Sequence, residues 1–192
     1  MTIVRGVSLA LVCVAVGIMV GFTLARLAEH YRLEENKALV RQSHDRVWSE
    51  EDNDAALAAA RRIYAKDFVV HNPAGGSTGF KEFFRGITEN RADFPDWREK
   101  VESMVAEGDF VAAWFSSGGT QARDLAAQSG VQPFIPNKNR SVHLHEMELF
   151  RVANHKLAEV WDLWDDWELY RQLGLYDPDQ WPESVCGRER TR

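Results

Sequence analysis

Hydrophobic positions fall into three different patterns along the chain. The first is unbroken: Gly6 to Ala25 is a run of 20 residues without a charge, with Arg5 before it and Arg26, Glu29 and Arg32 after it. At about 1.5 Å rise per residue, a helix of that length crosses a hydrocarbon core of about 30 Å. The second pattern has helical period. Leu39, Val40, Val47 and Trp48 share one face of a helix over residues 26–50, and Leu57, Ile63 and Tyr64 mark another over 55–65 after a cap at Asn53 or Asp54. Phe80, Phe83, Phe84 and Ile87 recur as i, i+3, i+4, i+7, a third amphipathic helix closed by Phe94-Pro95-Asp96.

The third pattern has period two. Asp67 to His71 has strand composition and stops at the turn formers of residues 72–79. Trp97, Glu99, Val101, Ser103 and Val105 alternate with polar neighbours up to the turn Glu107-Gly108-Asp109. Further strands cover 110–117, 141–152 and 156–165, the last two joined at Ala153-Asn154-His155. Residues 118–140 form a long connection with one helical turn expected near Leu125. Trp167, Leu169, Tyr170 and Leu173 suggest a final short helix, and a loose tail begins at Tyr176. The expected architecture is α+β: a curved antiparallel sheet packed on three helices, over residues 31–175, preceded by one transmembrane helix. Such a sheet leaves a concave apolar pocket for a ligand.

Composition refines this reading. The first 35 residues carry three Arg and three Glu, so the rest keeps the whole net charge of −6. An acidic domain repels phosphate backbones, which disfavours a nucleic-acid partner. Cys13 and Cys186 give neither a disulfide framework nor metal-type spacing. A cleaved signal has a shorter apolar stretch of roughly 7–15 residues, and Thr23-Leu24-Ala25 is a poor cleavage site. A single-pass amino-terminal anchor is therefore expected. Counting Arg26, Arg32, Lys37 and Arg41 against Arg5 leans the domain to the cytoplasm. Short anchors of this kind also export the domain attached to them, so the side of the membrane stays open.

The pieces ENKALVRQSHDRVWSEEDNDA, DFVVHNP, GFKEFFRGITENRADFPDW, VAEGDFVAAW, LFRV and LAEVWDLWDDWELYRQLG stand in order between Glu35 and Gly174. Together they resemble the SnoaL-like polyketide cyclases of the nuclear transport factor 2-like superfamily. The resemblance implies a conical α+β barrel with a deep pocket and sheet-to-sheet homodimers. It also implies ring closure by an intramolecular aldol reaction, with an acidic side chain as acid/base and no cofactor. The scaffold serves unrelated chemistries and pure binding modules too, so a non-catalytic ligand-binding or assembly role is the alternative.

The resemblance and the strand pattern together nominate site residues. By resemblance, Asp162 stands where the family has its acid/base, His71 where it often has a cavity-facing histidine, and Glu148 at an inward position. Strand parity puts Val160, Asp162 and Trp164 on one face and Glu159, Trp161, Leu163 and Asp165 on the other. It also separates His143 and His145 from Glu146 and Glu148, so either Glu148 or His145 partners Asp162. Trp114, Trp164, Phe84 and Val160 are the expected contacts of a hydrophobic small molecule. Alternating histidines on a strand are common by chance, and no metal is expected.

Overall fold

The computed structural model describes residues 2–72, 75–126 and 134–175, with side chains from Val16 onward. Helix α1 runs without a break from Thr2 to Ser43 and passes into a π-helical turn, His44–Trp48, closed by a Ser49 N–H to His44 carbonyl bond of 3.0 Å. Helix α2 (Asn53–Ile63) is capped one residue earlier than expected: the Asp52 carboxylate accepts the Ala55 N–H at 2.7 Å. Its buried face is Ala56, Ala59, Ala60 and Ile63, small side chains that let the helix lie close to its neighbours. Then come β1 (Tyr64–His71), β2 (Ser77–Gly79), α3 (Phe80–Asp93), β3 (Arg98–Glu107), β4 (Phe110–Thr120), β5 (Ser141–Ala153), β6 (Lys156–Leu163) and α4 (Asp166–Gln172).

The six strands form one sheet in the order β2-β1-β6-β5-β4-β3. The sheet is mixed, which corrects the expected antiparallel one: β1 runs parallel to β6. The direction of β6 is set by its tight turn from β5, where Asn154 and His155 take φ of 51° and 57°. The chain between β1 and β6 is long enough to impose no opposite direction. The four helices include the short α4, and β2 lies within the run expected to be all turn. Near Leu125 there is a bridge to Ile135 in place of a helical turn. The part of the long connection at 127–133 and the tail from 176 lie outside the described residues.

Alternation sorts each strand between two faces. On β5, Val142, Leu144, Glu146, Glu148, Phe150 and Val152 are buried, while His143, His145, Met147 and Leu149 are exposed. The larger core cluster joins Val40 and Val47 of the first helix and turn to Tyr64, Phe68, Ile87, Val111, Phe150 and Val160. A second cluster holds Phe94, Trp97, Leu125, Ile135, Val142, Leu144 and Leu173. Each large apolar side chain so buried contributes about 1.5–3 kcal/mol.

Among the described residues, no helix is long and apolar enough to cross a membrane. The expected span at 6–25 begins in the stretch whose side chains lie outside that set. In its described part Ile18, Met19, Val20, Phe22 and Leu24 are all more than half exposed.

Candidate active site

Between α3 and the inner face of the sheet lies a cavity of about 400 Å³. Trp48, Val70, Phe83, Phe94, Val160 and Trp164 give it apolar walls, and the carboxylates of Glu148 and Asp162 reach it from the sheet. These two residues are register partners on β5 and β6. Glu148 Oε2 and Asp162 Oδ1 are buried and have no hydrogen-bond partner. Burial pushes the Asp162 carboxyl far above the usual carboxylate range, and the charges of Glu148, Glu146 and Glu99 push the same way. A hydrogen bond from Trp164 opposes them without reversing the result.

Behind the pair sits a wholly buried histidine. His44 Nδ1 is 2.6 Å from Glu99 Oε2, and its Nε2 is 3.3 Å from Glu148 Oε2. The first contact is a hydrogen bond; the second has the geometry of an ion pair only, since both of its atoms are without a hydrogen-bond partner. Burial alone would lower the imidazole pKa, yet Glu148 and Glu99 outweigh it and raise it to about 10. Burial raises Glu99, and burial with the Glu99 charge raises Glu146 to about 8 against a hydrogen bond from the Ser117 hydroxyl. At neutral pH the arrangement therefore holds an imidazolium and protonated Asp162 and Glu146, with the Glu148 carboxyl group set between His44 and Asp162 at the cavity. Such a site can give a proton at one atom and take one at its neighbour.

The expected residues are not all brought together. Asp162, Glu148, Val160 and Trp164 meet at the cavity. His71 does not: its Nε2 lies 2.7 Å from Glu159 Oε2, and its ring stacks on Trp161 at 4.5 Å, on the outer face of the sheet. His145 is likewise outside, stacked on Trp114 at 5.4 Å. Trp114 is itself 41% exposed on that outer face and is not among the residues lining this cavity. The reason in each case is strand parity, which sends alternate side chains through opposite faces. Phe84 packs on the core and against Phe80, while its neighbour Phe83 lines the cavity. Sequence pattern did not single out His44, Glu99 or Trp48 as site residues. The signals for them are weak: His44 stands at helical spacing between Val40 and Val47, and Glu99 at period two between Trp97 and Val101.

The sequence matches the description of SnoaL-like polyketide cyclases over residues 38–173. The chain belongs to that family. No match is found among the curated proteins. Among solved structures similar to this SnoaL-like chain is AclR from Streptomyces galilaeus, described as a candidate hydroxylase. It is 22% identical, with a TM-score of 0.62 over 81% of this chain and 89% of that one. IdmH from Streptomyces antibioticus, a candidate polyketide cyclase, is 22% identical, with a TM-score of 0.58 over 72% and 98%. A candidate SnoaL-like polyketide cyclase from Jannaschia sp. CCS1 is 18% identical, with a TM-score of 0.62 over 75% and 94%. At these identities the likeness is one of fold, and the SnoaL-like scaffold leaves the reaction to the site residues.

Proposed function

We propose that this chain is a cofactor-independent, cyclase-type lyase or isomerase acting on a hydrophobic carbonyl compound. The observation that carries the reading is the Glu148/Asp162 pair, opposed in register at the cavity, with Asp162 Oδ1 buried and unbonded and Glu148 Oε2 set against the His44 imidazole. Glu148 as carboxylate removes a proton alpha to a carbonyl and forms an enolate. The enolate carbon attacks a second carbonyl of the same molecule, and protonated Asp162 donates to the alkoxide that forms. The proton then returns from Glu148 to Asp162, so the pair ends as it began. The test is Asp162→Asn, assayed by proton–deuterium exchange at the α-carbon of a panel of cyclic 1,3-dicarbonyl compounds in D₂O. A loss of roughly 10²–10⁴-fold with an unchanged circular dichroism spectrum is expected. Exchange equal to wild type, or a wild-type protein no faster than buffer on the whole panel, overturns the reading.

The same proposal includes anchoring through residues 6–25 and pairing of two copies through the outer sheet face. Exposed apolar side chains on the described part of the run support the first. Phe110, Trp114, Met147, Leu149, Trp161 and Leu163, all exposed on strands β4 to β6, support the second. Arg32 on α1 pairs with Asp109 in the β3–β4 turn, so that end of the sheet faces the proposed bilayer. From Arg32 the chain climbs roughly 20–25 Å to Trp48 at the cavity. Asn72, Phe94 and Trp164, also at the cavity, stand at the far ends of their strands and helix. In this arrangement the mouth points away from the bilayer, and the substrate enters from water.

A further inference from the structure

We infer that His44, held by Glu99, is a positioning residue that keeps Glu148 ionised, so that Glu148 is the base of the pair and Asp162 its acid. This rests on the reading of the pair as an acid/base couple. Two carboxylates facing each other with no further charge are symmetric: either one holds the shared proton. Here the symmetry is broken on one side only. The imidazole Nε2 lies 3.3 Å from Glu148 Oε2, whereas the ionisable side chain set against Asp162 across the strands is Glu148 itself. The one cation in this cluster therefore favours charge on Glu148.

The surroundings fix this cation in place. From β3, Glu99 accepts from Nδ1 at 2.6 Å and is itself held by the Trp97 indole N–H at 3.2 Å. The Glu99 backbone N–H donates to the Ser49 hydroxyl at 2.9 Å, tying β3 to the end of the π turn. From β5, Glu148 and Glu146 face the ring; from β6, Asp162 lies beyond Glu148; from β1 comes Tyr64, whose hydroxyl bonds to Ser43. Phe115 at 4.4 Å and Phe150 at 6.3 Å wall the ring from water. The wide π turn begins at His44, and such turns often mark functional places in helices. His44 has no opening to the cavity and touches no substrate, so its effect passes through Glu148 alone.

The experiment compares wild type, His44→Gln and Glu99→Gln without substrate and with the dicarbonyl probe. Without substrate, ¹⁵N spectra of wild type should show His44 protonated on both nitrogens well above the ordinary histidine range. ¹³C spectra should show Glu148 ionised at pH 7 in wild type and protonated in His44→Gln. With the probe, loss of the cation moves the low-pH limb of the exchange profile upward. His44→Gln should fall about 10-fold or more at pH 6 and converge on wild type near pH 9. Glu99→Gln keeps the imidazole but weakens its hold on the proton, so it should shift the limb in the same direction by less; it also serves if His44→Gln fails to fold. A His44 that titrates near its ordinary value, or an equal loss at every pH, overturns the inference. If the carboxyl spectra behave as expected while Asp162→Asn leaves exchange intact, the charge arrangement stands and the acid/base reading falls.

Discussion

Glu146 offers the clearest test of how these buried acids affect stability. Its side chain is 5% exposed, accepts a hydrogen bond from Ser117 and has its pKa raised from 4.5 to about 8. Because the folded value is the higher one, the folded protein binds the extra proton between those two values. Its contribution to stability is fully present below pH 4.5 and is lost as pH rises toward 8. Each pH unit in that window costs up to ~1.4 kcal/mol, so ~3 kcal/mol is lost between pH 4.5 and 7. Glu146→Gln keeps the acceptor for Ser117 and removes the titration. The variant should match wild type within about 1 kcal/mol at pH 4.5 and exceed it by ~2–3 kcal/mol at pH 7, the lower figure allowing for neighbouring carboxylates that titrate together. Urea unfolding at pH 4.5, 6 and 7, followed by tryptophan fluorescence, measures the difference. A variant that is equally stable relative to wild type at all three pH values refutes the reasoning, since burial of an ionisable group would then cost nothing.

Two further predictions test the surroundings of the site. Trp161→Glu places a charge in the middle of the outer apolar face; light scattering should show a dimer for wild type and a monomer for the variant, with near-native circular dichroism, whereas a monomeric wild type removes the proposed pairing. Deleting residues 2–25 should move the protein from a carbonate-washed membrane pellet to the soluble fraction with its probe exchange retained, and a full-length chain that is already soluble after the wash rules out the anchor.

Much of the site was legible because strand parity is rigid. Once Val160 faces inward, Asp162 must do the same and Trp161 must face out, as the structure has them. The same rule on β5 left two solutions, and nothing within that strand says which face is covered. The outer face carries Trp114, Met147 and Trp161, so hydrophobicity alone could not mark the inside. His71 misled for a related reason: it ends β1 beside the cavity residue Asn72, yet its own side chain leaves through the outer face to Glu159. The parallel pairing of β1 with β6 joins segments far apart in the chain, and local pattern carries no trace of it. His44 was hidden differently. A polar residue on the apolar stripe of a helix gains meaning only from what it meets, and Glu99 and Glu148 come from two distant strands.

The course of β5 shows what the site costs the fold. Val152 and Phe150 belong to one apolar cluster, Leu144 and Val142 to the other, and Glu148 and Glu146 lie between them. Glu99 and Asp162 face the same level from β3 and β6, with His44 closing it from the helical layer. The core is thus divided by a layer of ionisable groups where apolar side chains of similar size would pack without a desolvation penalty. Two of these groups have a buried oxygen without a hydrogen-bond partner, Asp162 Oδ1 and Glu148 Oε2, the second meeting only the His44 imidazole at 3.3 Å. A folding requirement explains neither the layer nor the bare oxygens, because both lower stability. A requirement to bind and to move a proton explains both, since perturbed acids gathered at one cavity are what such chemistry needs. The stability gain expected for Glu146→Gln is therefore also evidence on function: it measures what the chain gives up to keep one buried acid next to the Glu148/Asp162 pair.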